Sequence, residues 1–255
     1  MWLVPWIAAM AASGMFGLVF NMVRSDSNRF KPAMAAALAA AILMTSVANL
    51  EGVLEFMNAN QLGSREFWNW VGIDGLKGSP NALAGSWWPQ DNWWWWRATR
   101  VIGSSEAGKI VDYTIHEFPL FSFVLGDLHP HVMSLSLTTL FLSGCLNLLK
   151  APNFERSHRS PMLYATVVVM GLALGGIAFV NMWDFPIYAS VLLAVLVLKV
   201  LYAGIETRSG MLKITVATGL LTLFTAVLLF IPYYFTFTSQ VSGIGATGVG
   251  VTRPF

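Results

Sequence analysis

His116–Leu149 reads HEFPLFSFVLGDLHPHVMSLSLTTLFLSGCLNLL, and it joins two things that rarely sit side by side. Glu117, Asp127, His116, His129 and His131 crowd its first half. Residues 132–149 then form a run long and apolar enough to enter a bilayer, for which about 20 mostly apolar residues suffice. If that run is a membrane helix, the acids and imidazoles lie at or just below the membrane surface, where an ionisable group is costly and usually functional.

The rest of the chain supports the membrane reading. Hydrophobic residues make up 56% of the 255 and charged residues 11%, well outside the range of soluble domains. The pattern predicts six spans, at about 3–22, 33–50, 132–149, 162–181, 187–204 and 212–231, in an all-α polytopic fold. The start, MWLVPWIAAM, lacks the basic segment of a signal peptide and is expected to be a retained helix. Lone Cys145 excludes an internal disulfide and a cysteine-based metal site. A formal charge of +2, with no basic run interleaved with aromatics, speaks against a nucleic-acid partner. The bilayer is the partner that composition implies.

Charge then sorts the connections. Arg24, Arg29 and Lys31, then Lys150, Arg156 and Arg159, then Lys199, Arg208 and Lys213 all fall on one side of a six-helix weave, which the positive-inside rule makes cytoplasmic. Ten of the thirteen acidic residues fall on the other side, leaving Asp26, Glu155 and Glu206 behind. That outer side receives the connection of about 80 residues from 51 to 131, too long for a plain linker and expected to hold short interfacial helices. The chain is expected to be one membrane domain, 1–255.

Within the long connection, Glu51 and Glu55 are spaced to share a helix face, either as two solvated acids or as a carboxylate pair at the membrane mouth. SWWPQDNWWWWRATR at 86–100 is too rich in indoles for an aqueous surface. Trp87, Trp88 and Trp93 to Trp96 read as an interfacial belt or as a stacking platform for a sugar or isoprenoid. Arg97, Arg100 and Lys109 suit phosphate, from lipid or substrate.

Asp127, His129 and His131 form D-x-H-x-H with Pro130 inside. Asp127 or Glu117 could act as general base while histidines and arginines neutralise phosphate. The same Asp127, His129 and His131 could hold a divalent metal ion, the one cofactor the pattern admits. Equally, Asp127 could simply cap the third span. Asn181, Trp183 and Asp184, in FVNMWDFPIY, form a second polar island, with Asp184 either an N-cap or part of the same pocket. No phosphate loop, HExxH, GxSxG or CxxC motif occurs.

These motifs in order resemble the Chlor_Arch_YYY family of very hydrophobic membrane proteins. ANLEG at 48–52 is similar to that family's GNLxG, and RATRVI at 97–102 to its Ser/Thr before RVI. HEFPLFSF and DLHPH resemble EFPFFSF and DLHxH, and NMWDFPIY at 181–188 resembles NxWDxPTY. The N-terminal YYYxG part is missing, so the resemblance implies a fragment of a longer protein. By its many spans and acidic outer loops, that family in turn is similar to GT-C membrane glycosyltransferases. The resemblance implies transfer of a sugar from a polyprenyl-phosphate donor at the extracytoplasmic face, with an acidic base. A transporter or a non-catalytic assembly protein are the rival expectations; the first predicts charges near mid-membrane, and the predicted spans hold almost none at their centres.

Overall fold

The computed structural model describes residues 2–24, 29–46, 49–73, 75–76, 87–89, 94–101, 103–106, 109–113, 115–151, 160–204 and 207–238. These fall into two compact units, one formed by the chain up to Thr45 and from Gly126 onward, the other by Ser46–Leu125.

The first unit is a helical bundle: α1 (Leu3–Val23), α2 (Phe30–Ser46), α7 (Pro130–Lys150), α8 (Pro161–Val180), α9 (Asp184–Leu201), α10 (Arg208–Leu228) and the short α11 (Ile231–Thr236), numbered in chain order. Five of these helices are long and apolar enough to cross a membrane; α2, at 17 residues, is too short to count by itself and makes a sixth only when joined to the helix that follows it. Sequence and structure agree on these five. Three helices shift by three or four residues toward the N-terminus: α2 runs Phe30–Ser46 rather than 33–50, α10 Arg208–Leu228 rather than 212–231, and α9 Asp184–Leu201 rather than 187–204, because Pro186 is tolerated in a first helical turn.

Helix α8 lies against α7, α9 and α10, and α1 packs on α7. Its Gly171-x-x-x-Gly175 pair explains how close the backbones come. A Cβ at 171 would stand 2.6 Å from Thr225 Cβ, and one at 175 would stand 2.5 Å from the Ala226 carbonyl oxygen. In lipid, helices associate through such close contact because tails offer no hydrophobic contrast. Phe141, Ala173, Leu174 and Ile177 are fully buried at this centre. On α10, buried Thr215, Thr222 and Thr225 satisfy their hydroxyls by donating to carbonyls one turn back, so the stripe is polar in sequence but not in effect.

The second unit contains α3 (Glu51–Ala59), α4 (Arg65–Val71), α5 (Trp94–Arg97), strands β1 (Gly103–Glu106) and β2 (Lys109–Tyr113), and α6 (Pro119–Leu125). The short helices expected of this connection are present. The antiparallel hairpin, pairing Gly103 with Tyr113 and Glu106 with Lys109, was not anticipated, although the β-branched Ile110 and Val111 beside Tyr113 favour strand. Ser64 caps α4 by accepting from the Phe67 N–H at 3.2 Å. Trp68 is fully buried with Ile73 and Leu76, and its indole N–H donates to the Leu62 carbonyl.

Candidate functional site

In the second unit, α3 turns a polar face inward. Glu51, Glu55 and Asn58, spaced one turn apart, are 5%, 2% and 3% exposed. The solvated reading of the two glutamates is thereby overturned, since a 9-residue helix with these groups outward would bury nothing polar. Two acids on one buried face need compensation, and Arg97 of α5 supplies it. Its Nε donates to Glu55 Oε1 at 2.6 Å and its Nη2 to Oε2 at 2.9 Å, a bidentate fork. Gly75, at φ +92°, lets the backbone lie against this guanidinium; a Cβ there would sit 2.7 Å from Nη1.

Glu51 has no such clamp. Neither carboxyl oxygen accepts from an N–H donor among the described residues, and its proton is shared with the adjacent Glu55 carboxylate. Burial, reinforced by the neighbouring Glu55 carboxylate and opposed by Arg97, raises its carboxyl from the ordinary 4.5 to about 8. At neutral pH Glu51 therefore keeps its proton.

Asn49 fixes this helix start. Its Oδ1 accepts from the Glu51 N–H at 2.8 Å and its Nδ2 donates to the Ala98 carbonyl at 2.8 Å, tying α3 to the end of α5. Sequence reasoning passed over Asn49 as a site residue; the ANLEG match was the available signal. Arg100 lies over the Trp96 ring, 3.7 Å from its centroid, and donates to Thr99 Oγ1. The Thr99 carbonyl accepts from the His116 N–H at 2.7 Å, which sets His116 and half-buried Glu117 beside α5. Lys109 lies on β2.

Two cavities flank this framework. One, about 600 Å³, is lined by Phe56, Trp88, Trp94, Trp95, Phe118 and Phe121. The other, about 570 Å³, is lined by Glu51, His116 and aliphatic side chains. Asn49, Val53 and Ala98 line both. The indoles thus divide: Trp87 is 70% exposed, as a belt residue would be, while Trp88, Trp94 and Trp95 turn toward the aromatic cleft. Trp93 lies outside the described residues.

In the bundle, the other predicted residues gather where α7 and α9 begin. Asp127 is exposed and does not cap α7. The cap position is His129, with Pro130 at the first helical position, and the His129 side chain makes no cap hydrogen bond. The correction follows from Pro130, whose fixed φ sets the helix start one residue after His129. His129 Nδ1 and His131 Nδ1 lie 2.8 Å apart, so one ring donates to the other. Asp184 is likewise no N-cap. It is the first residue of α9, after Trp183, and its Oδ2 accepts from the Ser134 hydroxyl at 3.0 Å. Ser134 Oγ also lies 2.9 Å from the His131 carbonyl oxygen, which draws His131, Ser134 and Asp184 into one chain. Asn181 ends α8 and its carbonyl accepts from the Asp184 N–H, while the Trp183 side chain is 73% exposed.

A helical bundle with five to six membrane-length helices and a polar unit between its second and third spans defines a multi-pass membrane protein. The chain belongs to DUF2298, a family of uncharacterized membrane proteins, which it matches over residues 2–253. No curated protein and no solved structure matches it.

Proposed function

We propose that this protein is a membrane glycosyltransferase, similar to the Chlor_Arch_YYY family and to GT-C enzymes, that moves a sugar from a polyprenyl-phosphate donor to an acceptor hydroxyl at the extracytoplasmic face. The observation that carries the reading is the pairing, within one unit, of an aromatic cleft suited to an isoprenoid chain with a second, mainly aliphatic cavity that includes Glu51 and His116 in its lining and shares the Asn49–Ala98 wall. Arg100, held flat on Trp96, is the kind of planar cation that grips phosphate at such a junction.

Asp127 or Glu117 takes the acceptor's proton as the new C–O bond forms at the sugar's anomeric carbon. The bond from that carbon to the phosphate oxygen breaks, and the phosphate leaves with the electron pair. Beside Glu117, His116 and Arg100 stabilise the charge that develops on it; beside Asp127, His129 and His131 do so; Arg97 is taken up by Glu55. Asp127, exposed, does not join His129 and His131 in a group of ligands that could hold a divalent ion.

The test is transfer from a fluorescent polyprenyl-phosphate sugar by the full-length protein in liposomes. Loss of a general base costs about 10²–10⁴-fold in rate, so Asp127→Asn or Glu117→Gln should fall by at least about a hundredfold. Normal transfer by both variants removes the proposed bases. Ion or solute flux without transfer favours the transporter.

A further inference from the structure

We infer that the cavity between the ends of α1 and α7 binds the phosphodiester headgroup of an anionic membrane lipid. The two helices run side by side in the same direction. A Cβ at Gly14 of α1 would run into Thr139 of α7, and near the helix ends Lys150 donates to the Asn21 carbonyl. Each helix then brings the same kind of stripe to the shared wall. Gly17, Asn21 and Arg24 follow one another at i, i+4 and i+7 on α1, and Ser143, Asn147 and Lys150 do so on α7. That spacing keeps each set on one helix face, so a small residue, an amide and a cation from each helix surround one space of about 390 Å³. Nothing stands within 4 Å of where a Cβ would lie at Gly17, which leaves that space open on the α1 side. The positive-inside rule asks for basic residues in a connector; it does not ask for a matching amide one turn before each.

Charge decides the occupant. Arg24 and Lys150 put two full positive charges at this space, and no carboxylate lines it among the described residues. Lys150 is held by a neutral carbonyl, and Arg24 by the faces of Phe20 and Phe30, 5.4 and 5.7 Å from the ring centroids. The C-terminal ends of α1 and α7 contribute about half a negative charge each. Two cations against about one negative charge in total leave about one positive charge to balance. A phosphodiester carries one negative charge and only accepts hydrogen bonds, whereas guanidinium, ammonium and amide N–H groups donate them. The site lies at the ends of two membrane-length helices, the level of lipid headgroups, where basic pockets between helices suit anionic lipids. Leu18 and Leu146 add apolar wall that lipid chains can meet and a soluble phosphate cannot use.

The test needs no turnover and stands apart from glycosyl transfer. The full chain, purified in detergent and stripped of lipid, is titrated with dioleoylphosphatidylglycerol, dioleoylphosphatidylcholine and the soluble headgroup glycerophosphoglycerol. Native mass spectrometry counts the bound species, and thermal unfolding is followed in parallel. Phosphatidylglycerol should bind at least about tenfold tighter than phosphatidylcholine. Arg24→Gln and Lys150→Gln should each lose about fivefold, and together about twentyfold, the usual worth of a cation at a membrane surface. Lys150→Arg, which keeps the charge, should stay within about twofold of wild type. Gly17→Leu grows into open space, so it should unfold at the wild-type temperature without lipid and yet lose most of the binding. Arg208→Gln removes a charge from the start of α10, away from this cavity, and should bind within about twofold of wild type. Equal losses in Arg208→Gln and Arg24→Gln would mean diffuse attraction to basic residues and overturn the site. Equal binding of the two lipids, or wild-type binding by Gly17→Leu, overturns it as well. Displacement of phosphatidylglycerol by an equal concentration of glycerophosphoglycerol overturns the lipid assignment in favour of a soluble phosphate.

Discussion

Replacing Arg97 with Met removes the fork that holds Glu55 and leaves two carboxyls on one buried face. The Glu55 side chain is 3% exposed, so the stranded charge has no route to water in the folded state. Keeping it ionised costs about 3–5 kcal/mol, the usual penalty for breaking a buried pair. The alternative is to bind a proton. At pH 7, protonating a carboxyl whose ordinary value is 4.5 takes about 3 kcal/mol, at roughly 1.4 kcal/mol per unit. The cheaper path wins, so Arg97→Met should cost about 3 kcal/mol at pH 7 and under about 1 kcal/mol at pH 5, where little work remains to add the proton. Pairing it with Glu55→Leu should return most of the loss at pH 7, since a hydrophobic replacement of both partners is often neutral. Tryptophan emission during denaturation in nanodiscs is the assay, because eight of the eleven tryptophans lie between 68 and 96 and report on this unit. An equal loss at both pH values, or a double variant no better than Arg97→Met, refutes the stranded-charge account.

Glu51 gives the wild type its own pH dependence. Its folded carboxyl sits near 8 against 4.5 in the unfolded chain, so the folded state keeps a proton that the unfolded state releases; stability should fall as pH rises from about 4.5 towards 8, by at most about 1.4 kcal/mol per unit, and a denaturation series on Glu51→Gln should be flatter. Gly175→Leu should prevent α8 and α10 from closing, at a cost of about 3 kcal/mol or more, read as a lowered melting temperature or loss of folded protein; a wild-type melting temperature would remove the close-packing argument. Ser134→Ala should cost about 1 kcal/mol by depriving Asp184 of its donor, and Ser134→Thr, which keeps the hydroxyl, should cost less. For sidedness, in a Cys145→Ala background Trp87→Cys should react with an impermeant maleimide from outside intact cells, whereas Ser160→Cys should react only after permeabilisation.

The bundle was legible because its information is local: twenty apolar residues in a row mean the same thing wherever they occur. The five long spans follow from that alone, with ends displaced by three or four residues at α9 and α10. The polar unit was legible as a population and not as an arrangement. Sequence spacing put Glu51 and Glu55 on one face, but burial depends on Arg97, some 42 positions away, and on Gly75 making room for it. Nothing in the local pattern of WWWWR says that the arginine points to a glutamate rather than to phosphate. Asp127 illustrates the opposite error. It had the residue type and position of a helix cap, and Pro130 displaced the cap to His129.

The two ends of the bundle carry opposite chemistry for a reason rooted in helix direction. Lys150, at the end of α7, donates to the Asn21 carbonyl near the end of α1, and Lys199, near the end of α9, donates to the Ala151 carbonyl at 2.8 Å. These ammonium groups satisfy carbonyls that a helix terminus leaves without partners, and they sit at the negative ends of three helix dipoles. At the other end α7 and α9 begin, with Asp184 in the first turn of α9 and Ser134 of α7 donating to it. An acid is favoured there for the same electrostatic reason that a lysine is favoured at the far end. The positive-inside rule and the helix dipole therefore make the same demand of α1, α7 and α9, so reversing the basic connectors would set topology against helix stability.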